Sequence, residues 1–77
     1  MTLKEAHDLL EKKYPGESFP YGKEYDGMFI FDHVPKNSDP NHVYWNDLIS
    51  IDKKTSRIGV FIPIGRPDFF NIPMIKF

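Results

Sequence analysis

The chain has 77 residues, with ten basic and eleven acidic side chains that leave a net charge of −1, and it contains no cysteine. Without a block of either sign there is no electrostatic footprint for nucleic acid or anionic lipid, and the missing cysteines exclude a disulfide framework, a thiolate nucleophile and any cysteine-based zinc site. One domain is all this length accommodates, and a chain so short buries only about 60 to 65% of the surface its unfolded form exposes, so the seven Phe, four Tyr and single Trp must build the core.

The N-terminal MTLKEAHDLLEKKY is charged and amphipathic where a signal peptide needs an unbroken apolar segment. No stretch approaches the roughly 18 apolar residues of a membrane span. We therefore expect a soluble, cytoplasmic protein, unless a partner exports it. Thr2 and Glu5 have capping-box spacing, so a helix should begin there. Leu3, Ala6, Leu10 and Tyr14 recur at intervals of three and four with Leu9 widening the stripe, and Pro15 and Gly16 end the run. The stripe should face the core.

Residues 17 to 24, with Pro20 and Gly22 among polar neighbours, read as a loop. A first strand is expected from Tyr25 to Val34, its centre apolar on both alternating faces, with Asp26 and Gly27 forming a bulge or strand entry. Residues 35 to 42, PKNSDPNH, read as a second loop, after which VYWNDLISI resumes a strand.

In LISIDKKTSRIGVFIPI, two branched apolar runs flank five polar residues. A four-residue loop from Lys53 to Ser56 sets Asp52 against Arg57, Ile51 against Ile58, Ile49 against Val60 and Leu48 against Phe61. Ile49, Ile51, Ile58, Val60 and Ile62 then share one face, whereas a slip of one residue would set Ile51 against Arg57. A two-residue loop would force left-handed geometry on two lysines. The longer loop requires positive φ at Ser56, where glycine is more comfortable.

The segment ISIDKKTSRIGV resembles the V-D-x-x-T-G-x-hydrophobic hairpin of small bacterial helix-plus-hairpin domains, of the PepSY type and among toxin-immunity proteins, with Ser56 where glycine is usual. The resemblance covers about half the chain and implies a fold more than a site. The expected fold is α+β: one N-terminal helix packed on a three-stranded, mainly antiparallel sheet. Ile49, Ile51, Ile58 and Val60 should meet the helix, with Leu48, Phe61, Phe29 and Phe31 on the far face.

Chemistry finds little hold. No serine or threonine stands in a nucleophile-elbow or triad-like context. Asp32, His33, Asp39 and His42 are the one cluster with imidazole and carboxylate donors suited to zinc or similar ions. Their spacing is irregular and the intervening Pro35 and Pro40 impose no convergence, so we expect no metal and no cofactor. Tyr44 and Trp45 are candidate binding anchors, because Trp and Tyr dominate interface hot spots, although Trp45 serves equally well as core.

The ending GRPDFFNIPMIKF carries Phe69, Phe70, Ile72, Met74, Ile75 and Phe77, while Pro67 and Pro73 forbid a regular central strand. It should either strap its own sheet over Phe29, Phe31 and Phe61 or dock on another chain. The binding candidates are accordingly Tyr44, Trp45, Phe69, Phe70, Met74 and Phe77. The expected function is a non-enzymatic protein-binding module, immunity- or antitoxin-like, acting on a protein partner or itself. The alternatives are a small enzyme or metal module on the Asp32 cluster, or a structural homodimer.

Overall fold

Thr2 caps helix α1, Leu3–Lys13, by the expected reciprocal bonds: its hydroxyl accepts from the Glu5 amide at 3.2 Å, and its own amide donates to Glu5 Oε1 at 2.9 Å. The computed structural model describes residues 1–34 and 48–77. Beyond α1 the chain runs through β1 (Tyr21–Tyr25), β2 (Met28–Asp32), β3 (Leu48–Asp52), β4 (Ile58–Phe61), a short 3-10 helix (Pro67–Asn71) and β5 (Ile75–Lys76). The expected strand stretch over residues 43–47 lies outside the described residues.

The class is α+β with an antiparallel sheet, but among the described residues the sheet has five strands in the order β4-β3-β2-β1-β5, not the three read from the sequence. One of the additional strands is β1, in the segment expected to be a loop. Asp26 and Gly27, at φ 47° and 74°, are neither bulge nor strand entry but the two-residue turn joining β1 to β2. Asp-Gly supplies the left-handed residues such a turn needs. Gly22 is required by contact: a Cβ there would lie 2.5 Å from the Phe31 ring.

The β3–β4 hairpin has the expected register, with Ile51 against Ile58, Ile49 against Val60 and Leu48 against Phe61. Its loop closes through Asp52 N to Arg57 O at 2.9 Å and Ser56 N to Asp52 O at 2.8 Å, and Ser56 sits at φ 60°. Asp52 Oδ1 accepts from the Lys54 and Thr55 amides at 2.8 and 2.9 Å.

Pairing of β2 with β3 sets Phe29 against Ile51 and Phe31 against Ile49. Residues paired across a sheet share a face, so Phe29 and Phe31 belong to the helix side and not to the far face. There they pack with Ala6, Leu10, Phe19, Ile49 and Ile51, while Leu3, Leu9, Tyr14 and Ile58 close the margin. Helix α1 lies against β1 and β2, so it does not reach Val60, which is 73% exposed instead of meeting the helix stripe. The opposite face holds Tyr25, Ile30, Leu48 and Phe61 under Phe69. The C-terminal segment covers that face with its 3-10 helix and then turns around the β1 edge. Its β5 pairs with β1, the Phe77 amide bonds Pro20 O at 2.9 Å, and the Phe77 ring meets the His7 ring on the helix side at 4.2 Å.

Candidate functional site

Strand alternation separates the two described members of the Asp32 cluster. Asp32 points with Ile30 to the C-terminal face, where burial pushes its carboxyl above the usual carboxylate range and the nearby Lys23 ammonium opposes the shift. His33 turns the other way. Its ring stacks on Phe19 at 5.2 Å and its Nε2 meets Glu17 Oε1 at 2.5 Å. Asp39 and His42 lie outside the described residues, as do Tyr44 and Trp45.

Among the described residues, His7, Asp8 and Glu11 bring potential ligand atoms within 4.8 Å of one another. Both nitrogens of His7 are engaged, Nε2 with Phe19 O at 2.8 Å and Nδ1 with Glu11 Oε1 at 2.9 Å. A metal would have to displace one of these contacts. The His7 arrangement instead ties α1 to the 14–20 connection and to Phe77.

Lys23 is the polar group the sequence reading missed. Only 3% exposed, it donates from Nζ to the carbonyls of Phe69 and Ile72 and lies 3.6 Å from the centroid of the Phe69 ring. Burial pulls its pKa below the usual lysine range, with Asp32 opposing. A buried ammonium needs such acceptors, since an unsatisfied one would be expelled or neutralised. No local pattern announces it, because the acceptors lie 46 and 49 residues away. Phe69 is buried against Tyr25 and Phe61, Met74 is half-buried, and Phe70 is 64% exposed. The aromatic candidates of the tail therefore divide between core and surface.

A cleft of about 570 Å³ opens where the β1–β2 turn, the β3–β4 loop and the C-terminal segment meet, lined by Glu24, Tyr25, Asp26, Lys53, Asp68 and Ile72. Its charged groups are engaged with one another or with Arg66: Lys53 to Glu24 at 2.8 Å, Tyr25 hydroxyl to Asp68 at 2.8 Å, and Arg66 to Asp26 at 3.0 Å. Burial, and then the bond to Asp68, pushes the Tyr25 hydroxyl above its ordinary range. Proton transfer here would require breaking one of these pairs.

The two edges of the described sheet differ. β5 is two residues long and carries Lys76, with Pro73 just before it. Such short, charged, proline-flanked strands resist pairing with another chain. At the other edge, the run from Ile58 to Gly65, IGVFIPIG, has no charge. The Asp52–Arg57 bond places the backbone groups of Arg57, and by alternation those of Gly59 and Phe61, toward β3. Those of Ile58 and Val60 face outward. Val60, Ile62 and Ile64 are 73%, 57% and 82% exposed beside this edge. Sequence reasoning paired Val60 with Ile49, as found, but set it under the helix; only the helix position reveals it as surface.

The fold defines an α+β protein with one described helix on a five-stranded antiparallel sheet. No family model matches the chain, and neither the curated proteins nor the solved structures compared with it give a match. No described helix is long and apolar enough to cross a membrane.

Proposed function

We propose that this chain is a small, non-catalytic, cytoplasmic protein-binding module that accepts an extended segment of a partner as an added strand along β4. The observation that carries this reading is the uncharged edge that β4, Ile58–Phe61, forms in the described sheet, with Val60 and Ile62 exposed beside it. Main-chain bonds along such an edge supply affinity, and alternate side chains supply selectivity. The likeness of the β3–β4 hairpin to that of toxin-immunity proteins supports an immunity- or antitoxin-like role, in which the partner is neutralised by being covered. Of the Asp32 cluster, the two described members, Asp32 and His33, face opposite sides of the sheet and do not converge on one site.

Selection of displayed random peptides against the wild-type chain tests the reading. Extended, β-branched sequences should be enriched, and their binding should be lost in Val60→Lys. Failure to enrich any peptide, or binding indifferent to Val60→Lys, would overturn it.

A further inference from the structure

Strand β4 carries a glycine that its own fold does not require. Gly59 has no left-handed φ, and a Cβ placed there would meet only Ser50 Oγ at 3.6 Å, an ordinary contact. Glycine inside a strand weakens it and commonly marks close approach by another backbone. The neighbouring side chains have a second property, self-complementarity about one point. If β4 pairs antiparallel with its own copy about an axis through Val60, the two Val60 residues face each other and Ile58 faces Ile62 of the second copy. On the other face Gly59 lies opposite Phe61 of the second copy, so the position without a side chain meets the largest one.

We propose that the strand accepted along β4 is β4 of a second copy, joined in this register into one continuous sheet across a two-fold axis; the proposal rests on the strand-addition reading above. With Ile62 continuing β4 on pairing, the outward backbone groups of Ile58, Val60 and Ile62 are all used, giving about six ladder bonds. Every pair on the helix side joins β-branched residues, which pack well across strands. No charged residue falls within the paired stretch, so symmetry creates no like-charge contact there. Moving the axis by one residue would oppose two glycines or two phenylalanines. Moving it by two would run the pairing into the Asp52–Arg57 loop or past Pro63. An isologous contact of this kind closes on itself and stops at two copies, and β5 at the opposite edge does not propagate the sheet. A target that takes β4 must then displace the second copy.

Sedimentation of the full chain over roughly a thousandfold range of concentration tests this, since dimers dissociate by mass action. The wild type should sediment at twice the chain mass. Val60→Lys and Val60→Glu should each be monomeric, with unchanged circular dichroism because Val60 is exposed and with the melting temperature of wild type diluted until its dimer dissociates, while Ile64→Lys, outside the pairing, should remain dimeric. An equimolar mixture of Val60→Lys and Val60→Glu should recover the dimer, because only a Val60-centred axis brings the two opposite charges together. A monomeric wild type, a dimer that persists in both Val60 variants, or a mixture that stays monomeric overturns the proposal. If the wild type is monomeric yet selected peptides still bind in a Val60-dependent way, self-pairing alone fails; loss of both results removes the edge reading with it.

Discussion

Replacing Ser56 with glycine should stabilise the protein, and the size of the effect follows from the loop geometry. Ser56 sits at φ 60° in the β3–β4 loop, held there by its amide bond to Asp52 O, which glycine retains. Left-handed backbone costs a residue with a Cβ roughly 1 to 2 kcal/mol. Against this, glycine gives the unfolded chain more freedom, a penalty of about 0.5 to 1 kcal/mol. The net gain should be about 0.5 to 1 kcal/mol. With about 2.1 cal/mol/K of unfolding entropy per residue, a chain of 77 residues should melt about 3 to 6 °C higher. Paired thermal and urea melts decide the matter, with equal urea slopes showing that compactness is unchanged. Ser56→Ala serves as a control, since it keeps the Cβ and should leave the melting temperature near that of the wild type. A glycine variant no more stable than the wild type would mean that the left-handed strain at Ser56 is not what the loop geometry implies.

Gly22→Ala should destabilise by roughly 1 to 3 kcal/mol in urea melts, as overpacking does in a tight core, because its Cβ would press on the fully buried Phe31 ring. Phe69→Ala should cost roughly 3 to 5 kcal/mol, enough to abolish most of the cooperative transition of a domain this small. Phe70→Ala, at an exposed position, should change the same melt little. Deleting residues 67–77 should eliminate cooperative melting, because it removes Phe69 and both carbonyl acceptors of Lys23; a truncated chain that melts like the full one would refute this anchoring. Two carboxylates should leave opposite marks on stability against pH. The Thr55 and Lys54 amides hold Asp52 below the usual carboxylate range, so its contribution is present above the unfolded value and is lost as pH falls through the folded one; Asp52→Asn should flatten that acid limb. Asp32 is raised by burial, so the folded state holds its proton more tightly, and stability should decline as pH rises from the unfolded value through the folded one. Asp32→Asn should remove that decline in pH-dependent urea melts.

Much of the fold was legible wherever the deciding interactions are local. The Thr2–Glu5 cap, the Leu3 to Tyr14 stripe and the four-residue loop before Arg57 each depend on residues a few positions apart, and the corresponding geometry is present. The β1 strand was missed because Tyr21–Tyr25 contains Gly22 between polar neighbours and shows no clean alternation. Its strand character comes from the Asp26–Gly27 turn and from pairing with β2 on one side and β5 on the other. The candidate site was half legible. The hairpin register correctly put Ile58 and Val60 on one face, but the exposure of Val60 depends on where α1 comes to rest.

Taken alone, the amino-acid order settled the class, the helix ends, the hairpin register and the absence of cysteine chemistry, since each is decided by short-range sterics, hydrogen-bond geometry or composition. Tertiary structure decided which face received Phe29 and Phe31, how Lys23 became buried beneath the C-terminal segment, and why β4 kept an apolar edge. Those outcomes rest on contacts between segments up to 49 residues apart. At such separations side-chain period no longer identifies the partner, and packing against the rest of the chain selects among faces that local pattern leaves equivalent.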